Sequence, residues 1–457
     1  MAARVRRGGG IALGPISSLS DALAKCATVF VFLLASTGLL LPLFQAQNGT
    51  VVNASEGDPV TQALWLLVYL VVSLLFFVRW RYLVGVALRD KLLLLLTALA
   101  IVSVLWSVAP DVTVRRGVAL IGTSLFGVYL AGRFGEDEML RLLAWTLGLA
   151  AVLSLVFAVA LPSYGISQDP ITQGDWKGIF DHKNTLGKNM ALGTIVFLLL
   201  AFSSRRYRWV AWTGLGLCLA LLLLSKSTTA LVVVLGVAVL LPFYRVLRRK
   251  VLVAVPLVLL ALLLVGGAAA WLLVGNTDTV LGLVGKDATL TGRTVLWSAV
   301  LDAIRDRPWT GYGYSAFWLG WEGKSAAVWL VTGEEFYDAH NGILDLWLTL
   351  GLVGVSVFAL NFVRAFGRAI AWARVTGTVV GLWPIAFLSF MLLSNLTEGT
   401  ILQQNNLSWI LYVATVLRVA APLRNRFAGA FNAPGSGDGA QARQPVGAPF
   451  PRRPTLR

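Results

Sequence analysis

The sequence is short of charge and of the residue types on which most soluble enzymes rely. Only 13% of its 457 residues are charged and 57% are hydrophobic, whereas an average soluble protein is about 25% charged. The low charge excludes a water-soluble globule. There are two histidines and two cysteines, Cys26 and Cys218. Two such distant cysteines provide neither a disulfide framework nor zinc-ligand spacing, so we expect both to be packing residues.

The hydrophobic residues are gathered into blocks long enough to cross a hydrocarbon layer of about 30 Å as helices. We therefore predict an all-α, polytopic integral membrane protein with about 12 transmembrane helices and one large periplasmic loop. Because no small-residue cleavage site follows Phe44, we expect the first block to be a retained span rather than a signal peptide. The expected spans are residues 26–44, 61–78, 92–109, 117–132, 142–161, 186–202, 209–224, 228–244, 251–274, 341–362, 378–394 and 406–421.

The positive charge gives the orientation of these spans. The chain has 38 Lys and Arg residues against 22 Asp and Glu residues, and basic residues collect on the cytoplasmic side of a membrane. Most of them lie in the terminal segments and in every second loop, so we predict cytoplasmic termini and no nucleic-acid partner. The predicted organisation is a basic N-terminus at 1–25, nine helices over 26–274, a periplasmic loop at 275–340, three helices over 341–421 and a disordered tail at 422–457.

A smaller set of basic residues lies on the predicted outer face, against the charge rule. Lys226 and Arg116 lie in short outer loops, and Arg293 begins an amphipathic helix expected over 294–304 in the large loop. Cations held near membrane depth without matching acids suit a phosphate ligand. Contact with lipid headgroups is the alternative.

Aromatic residues follow Pro308, from Trp309 to Trp321 in the same loop. This stretch is typical of a segment that lies at the bilayer surface or that stacks on sugar rings. Both interpretations stay open from the sequence.

Both histidines precede an apolar span at its outer end, His182 before Lys183 and Asn184, and His340 before Asn341. The positive end of a helix disfavours imidazolium, so a neutral histidine there can accept a proton. A plain capping role for the polar residues is the alternative. Of the two, we predict that His340 is the proton acceptor, because it shares a loop with Arg293. Glu398, in the last outer loop, is the second candidate base.

The sequence offers little for a metal or an organic cofactor. Glu56 and Asp58 in the first outer loop are too few to predict a metal site. No glycine-rich nucleotide-binding signature and no serine nucleophile elbow is present. We therefore expect neither metal nor cofactor.

Several segments, taken in order, resemble one family: the O-antigen ligase and polysaccharide polymerase superfamily, and within it the exopolysaccharide-production polymerase branch. The resemblance covers most of the chain. The segments are Trp106 to Arg116, Gly178 to Asn184, Ser225 to Ser227, Leu290 to Trp297, Pro308 to Gly313, His340 with Asn341, and Leu350 to Gly354.

The resemblance implies a metal-independent, inner-membrane glycosyltransferase with a periplasmic active site. Its donor would be an undecaprenyl-diphosphate-linked glycan and its acceptor a lipid-linked repeat or lipid A core, in a membrane that also holds a flippase and a chain-length regulator. Arg293 matches the arginine thought to hold the donor diphosphate, and His340 the histidine thought to activate the acceptor. We assign substrate-binding roles to Lys226, His182, Lys183, Asn184, Asn341, Arg116 and Glu398.

One departure favours a polymerase over a ligase. Lys226 stands where ligases commonly have arginine in a Ser-Arg-Gly motif, and lysine keeps the charge but loses the bidentate fork. An O-antigen ligase is the alternative. A secondary transporter is a minor one, because the sequence shows no internal repeat and its unusual residues gather on one face instead of the midplane.

Overall fold

The computed structural model describes residues 15–36, 59–168, 172–203, 206–247 and 291–421. Within these ranges the regular structure is entirely helical apart from one isolated bridge between Ile166 and Trp176, which confirms the all-α prediction. The expected ninth span at 251–274, the start of the large loop, Glu56 and Asp58 lie outside the described residues. The chain divides into a unit of residues 1–420 and a segment of residues 421–457, and only Ala421 of that segment is described.

The helices of the first unit are numbered in chain order. Their bounds are α1 Pro15–Ala35, α2 Pro59–Val78, α3 Trp80–Ala87, α4 Lys91–Val102, α5 Pro110–Arg133, α6 Glu136–Ala160, α7 Pro162–Gly165, α8 Lys183–Ser203, α9 Arg208–Leu224, α10 Thr228–Leu247, α11 Thr291–Asp306, α12 Ser325–Thr332, α13 Gly342–Thr376, α14 Trp383–Ser394 and α15 Leu407–Val419. Short 3-10 turns occupy Ser103–Leu105, Gly320–Glu322 and Val380–Leu382.

Five of these helices are long and apolar enough to cross a membrane, by length and composition: α2, α5, α6, α8 and α13. Their surfaces agree with that role. On α2, Leu66, Leu70 and Leu74 lie one turn apart and are exposed, whereas Val68 and Val72 are buried against the bundle. An apolar stripe of this size is costly in water and normal against lipid. The chain is therefore a multi-pass membrane protein. Shorter apolar helices include α9, α10, α14 and α15.

Two helices differ from the expected spans at their ends. Helix α5 begins at Pro110, whose fixed φ suits the first helical position, so Arg116 lies inside a helix and not in a loop as we predicted. Helix α13 continues to Thr376, well beyond the expected end of the span at residue 362. Arg368, which we expected in the following loop, is therefore part of α13, and it pairs with Asp90 at the start of α4. Hydropathy marks the thickness of the apolar layer and not the end of a helix.

The buried carboxylate of Asp90 ties two helices together. Its Oδ1 accepts from the N–H groups of Leu92 and Leu93 and so caps α4. The same oxygen accepts from Asn361 Nδ2 at 2.8 Å, and Arg368 donates to the other oxygen. A fully buried carboxylate needs such partners, so the network fixes α4 against α13.

The outer loop is docked into a break in α13. Gly351 has φ 65 and interrupts the helix, and a Cβ there would lie 2.1 Å from the carbonyl carbon of Trp309. The opened backbone exchanges hydrogen bonds with residues 308–313: Tyr312 N donates to Leu348 O at 2.8 Å, and Leu352 N donates to Pro308 O at 2.8 Å. Only glycine fits this close approach in the left-handed region.

The outer loop has a hydrophobic core of its own. The amphipathic helix expected over 294–304 is α11, and it buries Leu296, Val300 and Ile304, whereas Leu301 is exposed. Tyr312 and Phe317 join this core. Most of the aromatic stretch is therefore neither at a bilayer surface nor free to stack on sugars. Of the expected packing cysteines, Cys218 is buried and Cys26 is exposed.

Candidate active site

His182 is the N-cap of α8. Its Nδ1 accepts from Asn184 N at 3.1 Å, and its carbonyl accepts from Thr185 N and Leu186 N. A nitrogen that accepts a hydrogen bond carries no proton, so in this geometry the ring is neutral with its proton on Nε2. Burial lowers the pKa of His182, although the charges of Asp181 and Glu398 oppose the shift. His182 is therefore arranged as a hydrogen-bond donor and not as a base.

His340 has different surroundings. The cap of α13 is Asn341, whose Oδ1 accepts from Ile343 N at 3.0 Å and Leu344 N at 3.2 Å. The capping alternative thus applies to Asn341 and His182, whereas the ring of His340 does not cap its helix. His340 Nδ1 lies 3.0 Å from Asp338 Oδ1 without forming a hydrogen bond to it, and that oxygen accepts from His340 N at 2.7 Å.

The backbone of His340 is in the left-handed region, with φ 46. Lys226 shares this rare conformation, with φ 50. Such a conformation costs about 1–3 kcal/mol in a residue other than glycine and persists only where the surrounding structure imposes it. Two of the predicted site residues are therefore held in strained positions.

Helix α11 is tied directly to the His340 segment. Trp297, one turn after Arg293, donates from Nε1 to Ala339 O at 2.9 Å. On the other side, Asp345 Oδ1 accepts from Ala339 N at 2.9 Å and from Trp318 Nε1 at 2.9 Å. Ala339 is thus clamped between α11 and α13, and this clamp places Arg293 and His340 at one end of the loop.

The loop that carries Glu398 closes the same site. Gly342 N donates to Asn395 O at 2.9 Å, next to His340, and a Cβ on Gly342 would lie 2.1 Å from Asn395 Oδ1. Lys188 Nζ lies 3.9 Å from Glu398 Oε2. The segment after α14 therefore packs on the beginning of α13.

The charges of these segments act on one another. Burial lowers the pKa of Arg293, while the carboxylates of Glu398 and Asp338 oppose that shift. The ring of His182 senses both Glu398 and His340. Hydrogen bonds from Trp297 Nε1 to Ala339 O and from Gly342 N to Asn395 O join the segments that carry Arg293, His340 and Glu398.

Lys226 and Lys183 share a carboxylate that we did not predict. Asp175 lies 2.5 Å from Lys183 Nζ and 3.0 Å from Lys226 Nζ. Burial alone would raise the pKa of Asp175, but the two lysines outweigh burial and lower it. The surplus of cations on the outer face was the only sequence signal for such a counter-charge. Ser227 Oγ donates to Asn184 Oδ1 at 3.1 Å and joins the two lysine-bearing segments.

A small, partly open pocket lies beside these residues. Its walls are polar at Asn184, Lys188 and Glu398 and apolar at Val233 and Phe390. Such a pocket combines groups that bind a charged head with groups that bind a hydrocarbon.

The chain is similar to one known family and to two curated proteins. Residues 213–359 match the family described as O-antigen ligase. The chain is 29% identical over 284 residues to the exopolysaccharide production protein ExoQ of Rhizobium meliloti (strain 1021), an alignment that covers 59% of this chain and 63% of that protein. It is 32% identical over 92 residues to the general O-oligosaccharyltransferase of Acinetobacter baylyi, covering 18% of this chain and 15% of that protein. The matched regions span less than two thirds of either curated relative.

The family match and the similarity to ExoQ both point to the O-antigen ligase and polysaccharide polymerase superfamily. The resemblance stated from the sequence is thereby confirmed. The family match includes Lys226, Arg293 and His340, whereas His182 and Glu398 lie outside it. The segment after α14, which lies outside the match, packs on the beginning of α13, which lies inside it.

Arg116 contacts a different part of the chain. It lies in the second turn of α5 and donates from Nη1 to Ser315 O at 3.1 Å. The adjacent Tyr314 is buried and donates to Leu402 O at 2.6 Å, and burial raises its pKa. Part of the Arg116 guanidinium is therefore used to anchor the aromatic loop on the bundle. In the part of the chain that the structure describes, no group of three His, Cys, Asp or Glu side chains is arranged to hold a metal ion.

Proposed function

We propose that the protein is a glycosyltransferase that transfers an undecaprenyl-diphosphate-linked glycan to a sugar hydroxyl, and that it polymerises exopolysaccharide or capsule repeat units. The observation that carries this proposal is that the segments of Arg293, His340 and Glu398 are joined by hydrogen bonds, from Trp297 Nε1 to Ala339 O and from Gly342 N to Asn395 O. A base beside converging cations suits transfer from a lipid diphosphate. Similarity to an exopolysaccharide production protein supports the polymerase.

The proposed reaction is a direct displacement. The acceptor hydroxyl oxygen attacks the anomeric carbon, its proton passes to His340 Nε2, and the bond from the anomeric carbon to the diphosphate oxygen breaks. The carboxylate of Asp338, 3.0 Å from Nδ1, stabilises the imidazolium that forms. One displacement inverts the anomeric centre and requires neither a nucleophilic carboxylate nor a metal.

The leaving diphosphate needs positive charge. Arg293 provides a planar fork for two phosphate oxygens. Lys226 and Lys183 supply point charges, and Asp175 holds both in place before the donor arrives. The Nε2–H of His182 and the side chain of Asn184 add neutral donors. The apolar wall of the neighbouring pocket suits the first units of the polyprenyl chain.

The site would face the periplasm of the bacterial inner membrane. This follows from the charge rule, with the termini and residues 422–457 in the cytoplasm and residues 275–340 outside. Flippase and chain-length regulator are the partners that such a polymerase would need, for supply of the donor and control of the product.

A ligase that joins lipid-linked O-antigen to lipid A core is the second candidate. The description of the matching family as O-antigen ligase favours it, as does the short similarity to an O-oligosaccharyltransferase. Both candidates share donor and mechanism and differ in acceptor.

The test has two arms. Purified protein is supplied with undecaprenyl-diphosphate-linked glycan in EDTA, and products are identified by mass; we expect chain extension, and no transfer to any acceptor would refute the proposal. A strain from which the gene is deleted is then analysed. Loss of high-mass exopolysaccharide supports the polymerase, and intact polymer that is missing from lipopolysaccharide supports the ligase.

A further inference from the structure

Three aromatic rings lie together at the surface of the outer loop. Trp329 of α12 is buried at their centre, and the rings of Trp321 and Tyr337 pack edge-on against it with centroid distances of 5.2 and 5.5 Å. The two outer rings are 58% and 50% exposed. We call this group the aromatic plate.

One carboxylate orients both exposed rings. Glu335 Oε1 accepts from Trp321 Nε1 at 3.2 Å, and its Oε2 accepts from Tyr337 Oη at 3.1 Å. Trp329 Nε1 donates to Phe336 O at 2.6 Å. The polar edges of the rings are thus bonded while their faces meet solvent. Exposed apolar faces held in a fixed orientation are typical of recognition surfaces, because rigid rings lose little entropy on binding.

The plate is connected to the proposed base. The ring of Phe336 packs edge-on against the imidazole of His340, with 5.8 Å between centroids, and the same residue accepts the hydrogen bond of Trp329. The chain therefore passes from Tyr337 of the plate to His340 within a few residues. A ligand that covers the plate would have its end close to the imidazole.

We propose that the aromatic plate is a subsite for the acceptor glycan, an assignment that rests on the proposed function. The C–H faces of pyranose rings stack on Trp321 and Tyr337, and sugar hydroxyls donate to Glu335. The acidic residues Glu334, Glu335 and Asp338 beside the rings favour a neutral polar ligand over the bilayer, because charge is costly within a membrane.

The first experiment measures binding without donor. Full-length protein in nanodiscs is titrated with oligosaccharides that are released by partial acid hydrolysis from the surface polysaccharide of the strain carrying the gene. We expect Trp321→Ala and Tyr337→Ala each to weaken binding about tenfold, as removal of an aromatic anchor commonly does. Trp321→Phe, which keeps a ring, should lose less. Trp309→Ala removes an equally exposed tryptophan outside the plate and should bind as the wild type does.

The second experiment measures transfer. In Trp321→Ala we expect the acceptor KM to rise and the donor KM to stay unchanged. Wild-type protein that binds no oligosaccharide, or Trp321→Ala with unchanged affinity, would overturn the subsite. So would quenching of Trp321 fluorescence by brominated lipids, taken as the difference between wild type and Trp321→Phe, because the ring would then lie in the bilayer. Wild-type protein that binds oligosaccharide but never transfers glycan would refute the proposed function but not the glycan-binding role of the aromatic plate.

Discussion

At the scale of single residues, the two histidines differ in what their Nδ1 atoms contact. His182 Nδ1 accepts from Asn184 N and caps α8, whereas His340 Nδ1 lies beside the carboxylate of Asp338. The sequence places each histidine at a helix start and does not distinguish these arrangements, because the partners of His182 and His340 depend on side-chain geometry. Asp175 was missed for the same reason: its two lysines are brought to it by separate helices.

Of the basic residues at the site, Arg293 should be the one whose substitution lowers activity most. We expect Arg293→Ala to lower polymer formation by roughly 100-fold at normal protein level, because a half-buried donor to the leaving group is lost. Arg293→Lys should restore only part, since a point charge cannot form two parallel bonds. The measurement is product yield per amount of purified enzyme.

A matched control lies on the same helix. Arg305 pairs with Asp302 on the exposed side of α11, so Arg305→Ala should keep full activity. Full activity in Arg293→Ala would show that Arg293 does not hold the donor diphosphate.

His182 allows its capping role and its donor role to be separated. His182→Ala removes an N-cap worth about 1 kcal/mol and should raise the donor KM while turnover persists at high donor concentration. His182→Asn restores a capping oxygen, so we expect thermal stability to return and the donor KM to stay raised. A donor KM restored by asparagine would show that His182 acts only as a cap.

The pH dependence follows from the same geometry. Burial lowers the pKa of His182 from its usual 6.5, so the capped, neutral form exists above pH 6.5 and its stabilisation is lost as the pH falls through the lowered value. Protonation of Nδ1 would break the cap and weaken donor binding in that acidic range.

At the scale of elements, the break in α13 holds the outer loop. Gly351→Ala places a Cβ against the Trp309 carbonyl and forces alanine into the left-handed region. We expect lower thermal stability and loss of transfer, because residues 308–313 can no longer dock beside α11. The measurement is thermal unfolding of the purified protein, with transfer activity on the same sample.

Gly367 supplies the control for that change. It lies on the same helix with no atom near the position of a Cβ, so Gly367→Ala should be neutral or stabilise the protein by about 0.5–1 kcal/mol. Equal behaviour of the two variants would show that the break in α13 is not what holds the loop.

Local patterns predicted the elements better than their contacts. Helix α11 was found from its apolar period and from Pro308, which follows its end. The docking of Pro308–Gly313 into Gly351 could not be found in this way, because each segment alone looks like a glycine-containing turn. Helix α13 also extends beyond the expected span, since hydropathy does not register its basic last turns.

At the scale of the whole molecule, the orientation rests on charge. In a background of Cys26→Ser and Cys218→Ala, we expect Ala327→Cys, which is exposed on α12, to react with a membrane-impermeant thiol reagent in intact cells whose outer membrane has been made permeable. Ser436→Cys in the tail should react only after lysis. The reverse pattern would place the proposed site in the cytoplasm and exclude the lipid-linked donor.

We propose that His340 takes the proton, and that the site binds the lipid diphosphate without help from this histidine. The most direct measurement is a donor titration with purified wild type and His340→Ala in EDTA, in which transfer and donor binding are followed on the same preparations. We predict that His340→Ala binds donor as the wild type does and transfers no glycan, because Asn341 still caps α13 and Arg293 still meets the diphosphate. Near-normal turnover in His340→Ala would contradict this proposal. Another residue would then be the base, and Glu398 would be the first to test.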